Sequence, residues 1–273
     1  MLVPSFRRSV VFIAASSLVM TTFAFAGPAP TPTTLPDTSG EGIIKHFVEV
    51  SGGADAYAKV KSRVTSGTFA IPAQGVAGEI SIFQKAPNLT RVTGSIGGVT
   101  FDRGFDGQVA FEVNSMTGTR LIEGAEREAM EFQALNAATR NLGEALNGIE
   151  NLGVDQLDGH DDYRLELTTK SGGKIYQWYN VETGLLDQSQ MSLDSPMGKL
   201  DVLIGFSDWK ESGGVKVPGK MKQVIQPIGI EQNFEFTKIE ADVDIPDDKF
   251  ALPDEVKELV KANGATTQPA GGK

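Results

Sequence analysis

From Arg63 to Ala241 most of the chain alternates apolar and polar residues with a period of two. Successive side chains of a strand point to opposite faces, so this period marks strands packed on one side. RVTSGTFAI, AGEISIFQK, LTRVTGSI, VTFDRGF and QVAFEVN form a first block of such runs. DYRLELTTK, KIYQWYN, LLDQSQMSL, KLDVLIGFSDW, KMKQVIQPI and NFEFTKIEA form a second. Turn-forming steps separate them, among them Asp106-Gly107, Gly172-Gly173, Thr183-Gly184 and Gly213-Gly214. About eleven strands joined this way predict an antiparallel sheet.

The period lengthens to three or four in three places. Ile43, Ile44, Phe47 and Val48, then Ala54, Tyr57 and Val60, predict two short amphipathic helices broken at Gly52-Gly53. Between the strand blocks, Ile122, Ala125, Ala129, Phe132 and Leu135 recur at helical spacing, with acids crowding the early turns. They predict one longer helix in EGAEREAMEFQALNAATRNLGEAL. PDEVKELVKAN predicts a short helix near the end. A sheet this wide, with so few helices, has to curl to bury its inner face. The expectation is an α+β chain with a cupped sheet, the middle helix covering its open side.

Several strands carry bulky groups on both faces. Ile175 and Tyr179 alternate with Tyr176 and Trp178, while Leu200, Val202, Ile204 and Phe206 share one face. Two readings are open: these side chains fill a packed core, or a cup too wide to fill leaves an apolar cavity for a lipid or acyl chain. In the second reading the candidate lining residues are Phe111, Phe132, Tyr163, Trp178, Phe206 and Phe234.

Composition narrows the setting. Arg7 and Arg8, the apolar run SVVFIAASSLVM and the small-x-small step Ala24-Phe25-Ala26 read as a secretory leader, residues 1–26, cleaved before Gly27 and directing the chain to the periplasm. A Pro/Thr-rich linker is expected over 27–39, the folded domain over 40–263 and a disordered tail over 264–273. With no cysteine, the chain has neither a lipid-acceptor thiol nor a disulfide. Its net charge of −10, which loss of the leader makes more negative, argues against nucleic acid as a partner.

Candidate chemistry is sparse. Asp158, His160, Asp161 and Asp162 in LDGHDDYR are the right types for a metal site, but Asp-Gly ahead of a strand is an ordinary turn, and that reading is preferred. ADVDIPDDKF lacks the spacing of a calcium loop, and Asp247 reads as a turn cap before Phe250. Neither His46 nor His160 lies near a serine-nucleophile motif, and cysteine chemistry is excluded. The expectation is a non-enzyme with no metal and no cofactor.

AGEISIFQKAPNLTRVTG, RGFDGQVAFEVN, YRLELTTKSGGKIYQWYNVETGLLDQSQM and DDKFALP, in that order, resemble the periplasmic outer-membrane lipoprotein carrier family, the LolA-like lipoprotein-sorting group, over residues 41–255. The resemblance implies a strongly curved, unclosed antiparallel β-barrel with helices as a lid over an apolar interior. It also implies non-covalent shielding of a lipid or lipoprotein acyl chain during transport to the outer membrane, with envelope lipoproteins or membrane components as partners. The other reading is an envelope interaction module with a filled core. In the classical carrier an arginine directly before the proline of the second strand ties the lid. Here that position is Ala86, and Lys85 points to the opposite face. GFSDWKESGGVKVPGK adds a strand-turn-strand absent from the compact carriers.

Overall fold

A computed structural model describes residues 37–134, 146–195 and 198–264. The expected leader, most of the expected linker, Leu135 and the last nine residues of the tail lie outside the described residues.

Helices α1 (Gly40–Val50) and α2 (Ala54–Lys59) form the expected pair. Ser39 caps α1, its hydroxyl accepting from the Gly42 amide at 3.1 Å, and Gly52-Gly53 breaks the pair. Behind the break the Ser51 and Tyr57 hydroxyls meet at 2.8 Å.

Thirteen strands follow: β1 (Ser62–Ile71), β2 (Val76–Lys85), β3 (Leu89–Ile96), β4 (Val99–Phe105), β5 (Ala110–Asn114), β6 (Gly118–Ile122), β7 (Leu146–Leu157), β8 (His160–Thr169), β9 (Lys174–Asn180), β10 (Leu186–Ser195), β11 (Gly198–Ser212), β12 (Val215–Gln226) and β13 (Ile230–Ala241). β6 and β7 exceed the eleven expected. The helical pattern begins at Ile122, which masks β6, and β7 is polar and interrupted by Gly148 and Gly153. Both are edge strands, where alternation is least constrained.

The sheet order is β6-β5-β4-β3-β2-β1-β13-β12-β11-β10-β9-β8-β7, all antiparallel. Two meanders, β1–β6 and β7–β13, are joined side by side through β1 and β13. Helix α3 (Gly124–Ala134) stands in the chain between the two edges and packs on both β4 and β10. Seven strand spacings separate those two strands, about 34 Å on a flat sheet. A single helix is only about 10–12 Å across, so the sheet is strongly curved and the face bearing α3 is concave. The edges do not pair, which leaves an unclosed barrel.

Curvature concentrates where backbones approach closely. The β1–β13 register shifts between Ser66 and Gly67. A Cβ on Gly67 would stand 2.1 Å from the Glu235 carbonyl oxygen, and one on Gly78 would stand 1.8 Å from that of Ser95. Only glycine permits these contacts.

The convex face is covered too. Helix α4 (Asp254–Ala262) presents Val256 and Val260, with Leu252 ahead of it, to Phe111 of β5. The segment before α4 contains the 3-10 turn Asp247–Phe250 and is stitched to the sheet by cations. Lys85 donates to the Ile245 carbonyl at 2.9 Å, and Arg91 to the Ala251 carbonyl at 2.7 Å. Arg91 also forks onto Asp102. Asp106, at the DG step between β4 and β5, accepts from the Gln108 and Val109 amides at 2.9 and 2.7 Å and so holds the turn.

Gly67→Ala is expected to lower stability by about 1–3 kcal/mol, read as a lower urea midpoint with an unchanged slope.

Candidate functional site

The register places one set of side chains on the concave face from edge to edge. At the β7 end, Leu165, Leu167, Ile175, Tyr179, Met191 and Val202 form a closed core with Ile43 and Ile44 of α1. At the β6 end, Phe105, Ala110 and Ile122 close against Met130 and Ala134 of α3. Between these two cores lies a third cluster on β1–β4, β12 and β13. Phe69, Ile80 and Phe236 are buried in it, while Ile82, Val92, Phe101, Met221, Phe234 and Ile239 are only partly so. Among the described residues this middle cluster is built by strand side chains alone.

Phe69 organises it. Its ring stacks on Phe234 of β13 at 5.6 Å and meets the edge of Phe101 of β4 at the same distance. Gly78 and Gly94, opposite Phe69 and Phe101 in the register, leave room for that reach across two strands. A cleft of ≈ 340 Å³ lies on the other, convex side of these strands, lined by Thr68, Ala70, Ala77, Lys220, Asn233 and Glu235, which alternate out of step with Phe69, Phe234 and Met221. That volume lies at the low end for sites that take small ligands.

Helix α3 straps the two halves of the cup together. On one side Glu126 accepts from Arg120 at 2.7 and 2.8 Å and from Arg103 at 2.9 Å. On the other Glu128 accepts from Thr169 at 3.3 Å and from Ser171, both flanking the β8–β9 turn. Ala86, before Pro87, has no cation to offer α3, and Lys85, on the opposite face as its alternation implies, is engaged with Ile245 and Asp247 outside. Hydrogen bonding from Arg120 holds the Glu126 carboxyl below its ordinary range, against a desolvation that opposes it. A depressed folded pKa gives stability that is complete above the unfolded value of about 4.3 and is lost as pH falls through the folded one.

The six expected lining residues divide. Phe234 and Phe206 lie on the concave face, both paired in register with Met221. Tyr163 is also concave but belongs to the closed core near α1. Phe132 falls on α3, and its side chain is outside the described residues. Phe111 and Trp178 do not share the cup, and the expectation is corrected for both. Phe111 pairs with Gly104 and Leu121, one position out of step with Phe105 and Ala110, and is fully buried under α4. Trp178 pairs with Arg164 on the convex face, donates from Nε1 to Asp155 at 3.0 Å and lies under the Arg164 guanidinium. Alternation gave each strand two faces but not which one turned inward. Phe69, Phe101 and Met221 were missed. The signal for Phe69 was the alternation in RVTSGTFAI, which aligns it with Arg63, Thr65 and Gly67.

One polar cluster lies apart, on the convex side. Asp158-Gly159 forms the expected turn, with φ of 49° and 93°. Behind it, His160, Asp162 and Asp187 bring donor atoms within 4.8 Å of one another, close enough to share a cation. His160 Nδ1 lies 2.8 Å from Asp162, and the Asn180 amide donates to Asp187 at 3.0 Å. Burial pushes the Asp162 carboxyl up to about 6, while its hydrogen bond raises His160. Asn180 also caps the β9–β10 turn through the Glu182 and Thr183 amides. Asp187 enters from β10 and was not visible in the local motif.

Two outcomes follow. Phe111→Ala is expected to destabilise by about 3–5 kcal/mol in urea denaturation yet leave the uptake of an apolar fluorophore unchanged. Hydrogen exchange of the α3 amides should show weaker protection below about pH 4, and Glu126→Gln should flatten that pH dependence.

No protein-family model matches the sequence, and no curated protein matches it. Solved structures do match in shape. A LolA superfamily protein from Nitrosomonas europaea aligns with a TM-score of 0.54 at 15% identity, covering 79% of this chain and 99% of that one. A DUF1329 family protein from Desulfovibrio piger aligns with a TM-score of 0.52 at 15% identity, covering 78% of this chain and 97% of that one. In fold, this chain is similar to the LolA superfamily: a half-barrel whose concave face is strapped by helices.

Proposed function

We propose that the protein is a non-catalytic binding or carrier protein that shelters an acyl chain, of a lipid or of a lipidated protein, against the middle of its concave face. The observation that carries this reading is the concave apolar cluster set between two closed cores, in which Phe101, Met221 and Phe234 stay only partly buried around Phe69. A protein that needed only a core would gain by covering these side chains, since each buried methylene contributes about 0.8 kcal/mol. A ligand chain would supply that burial reversibly. The similarity in fold to a LolA superfamily protein supports the reading, as does the leader-like N-terminal sequence, which fits export to the periplasm.

The clusters near α1 and α3 are filled, so any bound chain is confined to β1–β4 and β11–β13. This separates the cup into a structural part and a binding part. Purified mature protein is expected to carry extractable lipid or to take up an apolar fluorophore that fatty acyl compounds displace. Phe234→Glu should weaken uptake at least about tenfold while circular dichroism stays native. Native mass spectra showing only bare protein, together with no fluorophore uptake, would instead establish a packed interaction module of the envelope.

A further inference from the structure

Arg63 is the one described arginine that forms no ion pair with a carboxylate. Arg91 pairs with Asp102, Arg103 with Glu126, Arg120 with Glu112 and Glu126, Arg127 with Glu131, and Arg164 with Asp155. Among the described residues the Arg63 side chain makes no hydrogen bond, and its Nε is buried without a partner. Asp242 is the nearby acid, but its Oδ1 accepts from the Lys61 amide at 2.9 Å. Burial pushes the Arg63 guanidinium pKa down, and Tyr57 and Asp242 offset this only in part. An arginine in a protein stays protonated, so a half-buried cation with no ion-pair partner is held at this point of the fold.

Its position is functional ground. In the register Arg63 stands opposite Gln84 of β2 and Ala241 of β13. Ala241 packs under Tyr57 and Val60 of the α2 region, so this face is the concave one. Thr65, Gly67 and Phe69 follow on the same face of β1. Ile82 and Ile80 flank this line on β2, and Ile239 and Phe236 on β13. From Arg63 to Phe69 the strand runs six residues, about 20 Å, the length of a long extended acyl chain. A cation therefore stands at one end of an apolar strip, and the stacked rings of Phe69 and Phe234 stand at the other.

We propose that the ligand is an amphiphile with an anionic oxygen head group, a carboxylate or a phosphate, bound by Arg63, with its chain laid along β1 toward Phe69, Phe234 and Met221. This rests on the carrier reading and names its ligand class. The planar guanidinium fork matches either anion with two parallel hydrogen bonds, and the ligand would supply the partner that the chain withholds. Arg63 then does two things at once. It orients the chain in the cup, and it rejects neutral lipids, which would leave the half-buried cation unpaired.

The test is displacement of a bound apolar fluorophore by myristate, tetradecyl phosphate and neutral monomyristoylglycerol, each used below its micellar concentration. Myristate or tetradecyl phosphate should displace at a concentration at least about tenfold lower than the neutral lipid, and the better of the two identifies the head group. Arg63→Gln should abolish that preference without changing displacement by the neutral lipid. Arg63→Lys should keep part of it, and Arg127→Gln, on the outer side of α3, all of it. The unliganded Arg63→Gln protein should melt no lower than wild type, because a half-buried cation with no ion pair is removed. Equal displacement by anionic and neutral lipids, a preference surviving in Arg63→Gln, or a fall of several degrees in its midpoint would overturn the assignment while leaving the carrier reading intact. Failure of the wild type to take up the fluorophore or any of the three lipids would overturn both.

Discussion

The pairing of β1 with β13 is the contact on which the rest of the molecule depends. It joins two meanders whose strands pair nowhere else, and it runs from Arg63 opposite Ala241 to Ala70 opposite Asn233. The floor of the cup is this seam: Phe69 and Phe234 face one another across it, and Gly67 lies at its irregularity beside Phe236. Antiparallel neighbours can be pressed this close only where a side chain is missing. The same glycine positions let the strands approach and leave room for the rings on the concave face.

Curvature divides the burden of stability between two faces. The concave face is closed at its ends by α1 and α3 and left partly open in the middle. The convex face at the β4–β6 end is closed by α4, whose apolar side chains seal Phe111, while Lys85 and Arg91 fasten the segment leading to it. Packing under α4 and packing in the cup thus lie on opposite sides of the same strands. A residue such as Phe111 can be indispensable to folding yet have no access to the cup. Helix α3 belongs to both duties, since it seals the core near β4 and ties the far rim through Glu128.

Much of this was legible in the sequence, and the residues say why the rest was not. Alternation located eleven of the thirteen strands, and helical spacing located α1, α2 and α4 because each presents one apolar stripe. β7 was lost because NGIENLGVDQL alternates poorly, as suits an edge strand with one neighbour and two register shifts. Phe111 was assigned to the wrong wall because the face of a strand is fixed only by what packs on it. The packing partners, Val256 and Val260, are about 145 residues further along the chain. Arg63 was readable only as the first residue of a strand. Its isolation is a property of the assembled sheet, where all the other described arginines have found acids.

The seam has a kinetic consequence as well. Its partners are separated by more than 160 residues, so it is among the last contacts that a growing or threading chain can make. Until β13 arrives, β1 has an open edge, with Phe69 uncovered beside it. Contacts of such long sequence separation slow folding, and open strand edges invite pairing with the wrong chain. Placing the first and last strands side by side in the middle of the sheet leaves a long interval in which the seam is unmade. Any factor that holds nascent chains apart would act on this protein before its cup exists.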